Sequence, residues 1–146
     1  MKKTVRDFFS SAQEELLVTA IKEAEKNTSG EIRVHLESTA QKDHYEHAQR
    51  VFEQLGMTKT EARNGVLFYL AVNDKRFVIL GDQGIDDQTP ENFWSGIKED
   101  MQNHFKSGAF VQGLESGIKQ AGKALQEFFP YQSNDQNELP DEISKS

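Results

Sequence analysis

The stretch that most constrains the fold is residues 65–72, Gly-Val-Leu-Phe-Tyr-Leu-Ala-Val, an almost unbroken apolar run. A strand covered on both faces reads this way, because neither set of alternate side chains can be left in water. Asn73, Asp74 and Lys75 follow as a tight turn, and residues 76–80 resume as a second strand. So short a connection joins only antiparallel neighbours. The chain must therefore cover both faces of the sheet that contains this hairpin.

The flanking segments supply that cover. Ser11 with Glu14 makes a capping-box pattern, and Ser10 with Gln13 makes a competing one. A helix then runs to about residue 26, with Leu17, Ala20, Ile21 and Ala24 at the 3–4 spacing of one buried face. Residues 27–30, Asn-Thr-Ser-Gly, stop it. Residues 31–37 alternate strictly: Ile32, Val34 and Leu36 point one way, Glu31, Arg33, His35 and Glu37 the other. That is a strand with one wetter face, expected near a sheet edge. Asp43 can cap a second helix to residue 55, which turns Tyr45, Ala48, Val51, Phe52 and Leu55 inward and ends at Gly56. Strand, helix and buried strand in succession form a βαβ unit, so the two strands are parallel with a right-handed crossover. The expected class is α/β, with a small mixed sheet that contains a parallel βαβ unit and an antiparallel hairpin.

Two helices complete the domain. Thr89 as N-cap with Pro90 at the first helical position signals one start. Phe93 or Trp94, Ile97, Met101 and Phe105 form its apolar stripe, and Ser107-Gly108 breaks it. The last helix carries Phe110, Leu114, Ile118, Ala121, Leu125 and Phe128. Gly113, Gly117 and Gly122 lie inside it; each costs roughly 1 kcal/mol of helix propensity, which points to close packing. The domain is expected to span residues 1–130. Residues 131–146 hold one Tyr, one Leu and one Ile among polar residues, too little to order themselves, so they are expected as a disordered acidic tail.

The chemistry concentrates in residues 81–90, which hold three aspartates and two glycines. An antiparallel third strand brings its C-terminal end beside the N-terminal ends of the other two. Asp82 should then lie near Asn64 and Gly65, and residues 28–31 join them if the first strand neighbours either of the other two. The gathered ligands would be Asp82, Asp86, Asp87, Glu31 and the amide of Asn64. An all-oxygen set with several carboxylates suits Ca²⁺ or Mg²⁺. The D-x-x-x-D-D spacing is not that of an EF-hand. Asp and Gly equally suit a solvated turn before a helix, so both readings stand on composition.

Charge and residue usage exclude other chemistries. There are 17 basic and 24 acidic residues, a net charge of −7. Phosphate affinity needs Lys/Arg clusters, so a nucleic-acid partner is not expected; a divalent cation or a basic protein partner suits the balance better. No cysteine is present, which rules out disulfides, thiol catalysis and thiolate metal sites. Met1-Lys2-Lys3 opens like a signal peptide, but Asp7, Gln13, Glu14 and Glu15 interrupt any apolar run. No stretch approaches the ~18 apolar residues of a membrane span. A cytoplasmic location without membrane insertion is expected. His44 and His47 can share a helix face but lack a third zinc ligand, while His35 and His104 are expected as packed or surface histidines.

Four elements in order resemble a known family. They are Thr28-Ser29-Gly30-Glu31-Ile32, Arg63-Asn64-Gly65-Val66-Leu67, Gly81-Asp82-Gln83-Gly84-Ile85-Asp86, and Phe105-x-x-Gly108-x-Phe110-x-x-Gly113-Leu114-x-x-Gly117-Ile118. Together they resemble the TPM domain over about residues 10–128. The third departs from the family pattern Gly-x-Gly-Leu-Glu: Asp86 stands for the usual Glu, and Asp87 where Gly is common. The resemblance implies a three-layer α/β/α sandwich, Ca²⁺-type sites in acidic loops and, in some members, acid phosphatase activity. Two functions follow as expectations. One is a divalent-metal-binding domain with a regulatory or protein-interaction role. The other is a metal-assisted acid phosphatase acting on phosphomonoesters. In that case Asp82 or Asp86 is the candidate nucleophile, with Asp87 a further candidate and Glu31 a possible base.

Overall fold

The computed structural model describes residues 8–39, 43–131 and 140–145. Helix α1 (Ser11–Glu25) leads into β1 (Glu31–Glu37), and α2 (His44–Gln54) leads through a 3₁₀ turn to β2 (Gly65–Ala71). Strand β3 (Arg76–Gly81) returns antiparallel. Then come α3 (Gln83–Gln88), α4 (Ser95–Lys106), α5 (Phe110–Phe128) and a short β4 (Ser144–Lys145). The sheet order is β3-β2-β1-β4, with β1 parallel to both β2 and β4. The α/β class, the parallel β1-α2-β2 unit and the antiparallel hairpin agree with the sequence reading.

The continuous apolar run does what its pattern demands: every residue of β2 is buried. Val66, Phe68 and Leu70 join Ile32, Val34 and Leu36 in a core shared with α1, α4 and α5. Leu67, Tyr69 and Ala71 face Ala48, Val51 and Phe52 of α2 and the nearby Met57. Helices thus cover both faces of the sheet. Helix α5 packs tightly on two neighbours through its glycines. A Cβ on Gly122 would lie 2.7 Å from that of Ala24, and one on Gly113 would lie 2.6 Å from the Phe105 ring.

The structure settles one local assignment of the sequence reading and changes two. The first concerns the cap of α1: of the two registers the sequence offers, Ser10 with Gln13 forms the complete capping box, not Ser11 with Glu14. The second concerns Thr89 and Pro90, which do not begin a helix. Residues 83–88 are themselves a short helix, α3, capped by Asp82; Thr89 ends it and donates its hydroxyl to Ile85 O (2.7 Å). Ile85 is fully buried, so anchoring it folds the acidic stretch inward and displaces the next helix start to Ser95. The third concerns the tail. Residues 140–145, part of the stretch expected as a disordered tail, lie along β1. Ser144 and Lys145 pair with His35 and Leu36, and Ile143 packs on the main core. β1 therefore has a neighbour on each side. The expectation of disorder for residues 132–139 lies outside the described residues. Among the described residues, no helix is long and apolar enough to cross a membrane.

Candidate functional site

The three turns expected to meet do meet, through backbone hydrogen bonds at the N-terminal end of β2. Glu31 N donates to Asn64 O (3.3 Å), Asp82 N to Gly65 O (2.9 Å), and Gly84 N to Arg63 O (2.8 Å). Gly84 is required there, because a Cβ would run into the carbonyl oxygens of Ala62 and Arg63. Yet β1 and β3 are separated by β2, which sets their backbones roughly 10 Å apart at ~4.8 Å per strand. The side chains accordingly divide into two groups.

The first group is Asp82, Asp86 and Asp87. Asp82 is buried, and both of its oxygens are engaged. Arg63 Nε donates to Oδ2 (2.7 Å) and Nη2 to Oδ1 (2.9 Å), while Gln83 N donates to Oδ1 (2.8 Å). Arg63 reaches this position with a left-handed backbone, φ 51°. Asp86 and Asp87 project from α3 and are exposed. Even so, partial burial, then Asp87, then Asp82 hold the Asp86 carboxyl above its ordinary range. With Tyr45, Phe52, Glu53 and Leu80, the three aspartates border a cleft of about 560 Å³ between α2 and α3. A second cleft of about 390 Å³ links Asp86 to Glu91, Phe93 and Trp94.

The second group lies at the other edge and includes two residues that the sequence reading missed. Glu25, at the end of α1, hydrogen-bonds with Asp141, and the charge of nearby Glu31 also opposes its ionisation. Burial first, and the Asp141 contact next, push the Glu25 carboxyl up to about 9, so at neutral pH it is the donor to Asp141. Glu25 Oε2 also accepts from Ile32 N (2.9 Å). Glu31 is itself 3% exposed. The amide of Asn64 points its nitrogen to Ser29 Oγ (3.4 Å), and its Oδ1 is buried without a hydrogen-bond partner. Of the five proposed ligands, then, Asp82, Asp86 and Asp87 are together, and Glu31 belongs with Glu25 and Asp141. A signal for Glu25 was present in the sequence: it sits four residues after Ile21, on the buried stripe of α1. Asp141 gave none.

A separate polar chain runs beside β1. His35 is buried; its Nε2 lies 2.9 Å from Glu37 Oε1 and its Nδ1 2.8 Å from Ser144 Oγ. His47 Nε2 meets the same Glu37 oxygen at 3.2 Å. Burial lowers the His35 pKa, against the pull of Glu37. The neutral ring fits its surroundings when Nε2–H donates to Glu37 and the Ser144 hydroxyl donates to Nδ1. Tyr69 stacks on the His35 ring at 5.8 Å, and burial raises its pKa.

As the side chains stand, the acidic groups are arranged around an arginine and a shared proton. Among the described residues, no three His, Asp or Glu side chains are set as a ready coordination sphere. The donor chemistry still fits a hard cation: the second group offers three carboxyls, and the buried Asn64 oxygen lies on the turn that binds Glu31.

None of the curated proteins matches the chain. Solved structures do. The BA42 protein from the psychrophilic bacterium Bizionia argentinensis is 49% identical, with both chains covered completely and a TM-score of 0.93. The N-terminal domain of a protein from P. gingivalis is 21% identical over 86% of this chain and 83% of that one, with a TM-score of 0.69. The N-terminal domain of the cg2496 protein from Corynebacterium glutamicum is 11% identical over 96% of this chain and 82% of that one, with a TM-score of 0.63. The last two share the fold alone. The TPM domain profile matches residues 4–124, nearly the whole folded body. With the mixed sheet, its helical cover and the acidic turns in place, the chain belongs to the TPM domain family.

Proposed function

We propose that this TPM domain binds a divalent cation of the Ca²⁺ or Mg²⁺ type and uses it in a regulatory or protein-interaction role. The observation that carries the reading is the Glu25–Glu31–Asp141 cluster, where burial and crowding force one carboxyl to keep a proton to about pH 9. A divalent cation would supply the positive charge that the cluster now obtains from that proton. Glu25, Glu31 and Asp141 would hold it, with Asn64 Oδ1 as a neutral oxygen nearby. Because the acids now sit on one another, they must separate to bind. Asp141 lies in the edge segment 140–145, close to a strand held by only two ladder positions, so it can adjust. Asp86 and Asp87 offer a second, more exposed seat.

The phosphatase alternative is less well supported. Asp82, one of its candidate nucleophiles, has both oxygens occupied by Arg63 and by the cap of α3. The alternative then rests on Asp86 and Asp87 and predicts that Asp86→Asn or Asp87→Asn abolishes turnover of p-nitrophenyl phosphate.

The test of metal binding is calorimetric titration with CaCl₂ and MgCl₂ at pH 7 in two buffers of different ionisation heat. Binding at the Glu25 cluster releases close to one proton per cation, and Glu25→Gln removes the release. Absence of binding heat for both cations would refute the reading.

A further inference from the structure

Ser144, His35 and Glu37 stand in line. Ser144 Oγ lies 2.8 Å from His35 Nδ1, and His35 Nε2 lies 2.9 Å from Glu37 Oε1. The fold builds this line from distant pieces. β4 brings the serine beside its register partner His35, across 109 residues of sequence. His35 and Glu37 meet because side chains two apart on a strand share a face. Neither the metal reading nor the phosphatase alternative uses these groups.

The surroundings select one tautomer. A carboxylate only accepts hydrogen bonds, so Glu37 fixes the proton of the neutral ring on Nε2. His47 Nε2, 3.2 Å from the same oxygen, holds that carboxylate from α2, and Tyr69 stacks on the ring. Nδ1 is left with a lone pair facing the serine hydroxyl. That is the arrangement in which an imidazole acts as base toward a nucleophile and a carboxylate steadies the resulting cation. His35 is buried, whereas Ser144 is only half-buried and is reached from solvent.

We propose that Ser144 is an activated nucleophile, with His35 as its base and Glu37 as a positioning carboxylate, and that this edge cleaves small activated carboxylic esters through an acyl-serine. Oγ attacks the ester carbonyl carbon as its proton passes to Nδ1. The bond from that carbon to the leaving oxygen breaks, and the leaving oxygen takes the proton from Nδ1. Water then attacks the acyl-serine and gives a proton to Nδ1; Oγ leaves with that proton, and the free acid departs. β4 is the outermost strand of the sheet, so alternate backbone N–H groups on its outer side are placed to meet an oxyanion. The reaction needs no cation, so it stands or fails apart from the metal reading.

The test uses the full chain in EDTA, with p-nitrophenyl acetate as substrate and a fluorophosphonate as trap. The trap should leave its phosphonyl group on Ser144, read by mass spectrometry of the digested protein. Ser144→Ala should lose the adduct and at least tenfold in ester turnover, and Ser144→Cys should recover acylation through its thiol. Glu37→Gln still accepts from Nε2 but lacks the charge, so it should lower kcat at least tenfold and leave KM unchanged. If Glu37→Gln loses its dispersed amide spectrum, the adduct and Ser144→Ala decide. Turnover that persists in Ser144→Ala comes from other imidazoles such as His44 and would overturn the proposal. So would an adduct on any other residue, or none.

Discussion

Arg63 and Asp82 are joined at two points, Nε to Oδ2 at 2.7 Å and Nη2 to Oδ1 at 2.9 Å, across 19 residues of sequence. The pair ties the entrance of β2 to the cap of α3. It also engages both oxygens of a carboxylate that the sequence offers as a metal ligand or nucleophile. Replacing Asp82 by Ala removes the cap of α3 along with the ion pair. The cap alone is worth about 1–2 kcal/mol, so Asp82→Ala should lower Tm by roughly 3–6 °C. Differential scanning calorimetry reads this directly, and an unchanged Tm would mean that the pair contributes nothing.

Gly84 and Gly96 give a contrasting pair of alanine substitutions. A Cβ at Gly84 meets two backbone carbonyls, which cannot rotate away, whereas one at Gly96 meets nothing within 4 Å. Gly84→Ala should cost about 1–3 kcal/mol by overpacking. Gly96→Ala, inside α4, should gain about 0.5–1 kcal/mol from helix propensity. Urea denaturation midpoints should therefore move in opposite directions.

The Glu25 carboxyl gives a pH dependence of definite sign. Its folded pKa of about 9 lies above the ordinary 4.5, so between these values the folded chain binds a proton that the unfolded chain has lost. This contribution to stability is fully present below pH 4.5 and is lost as pH rises toward 9, with a slope of up to about 1.4 kcal/mol per unit. Glu25→Gln keeps an acceptor for Ile32 N and a donor for Asp141, and should flatten the fall. Denaturation free energies at pH 6, 7, 8 and 9 test this, and parallel curves for the two chains would contradict it.

Trp94 separates the two acidic seats. It lines the smaller cleft with Asp86 and packs against Gly81, whereas the Glu25 cluster lies beside β1 at the other edge of the sheet. Calcium taken up first at Glu25, Glu31 and Asp141 should raise Tm while leaving Trp94 emission nearly constant. At 100 times its Kd the cation should stabilise the fold by about 2.7 kcal/mol. Emission that changes in step with the thermal shift would place the stronger seat at Asp86 and Asp87 instead.

The sequence by itself determined the sheet and its cover. Continuous apolarity in β2, strict alternation in β1 and the three-residue turn at Asn73 fix the strand directions, parallel for β1 and β2 and antiparallel for β2 and β3, because pleat and connection length are local properties. It also determined that Glu31, Asn64 and Asp82 lie at one end of the strands, which follows from strand direction. Only the tertiary structure decided how the carboxylates divide. Strand order places β2 between Glu31 and Asp82, and the left-handed turn at Arg63 delivers a guanidinium to Asp82 from far along the chain. Burying Ile85 turned an acidic loop into a helix and moved the next start beyond Pro90. The tail was beyond local reading for the same reason. Its composition cannot pay for its own ordering, but a vacant strand edge, one apolar pocket for Ile143 and a carboxylate at Glu14 supply from outside what residues 140–145 lack.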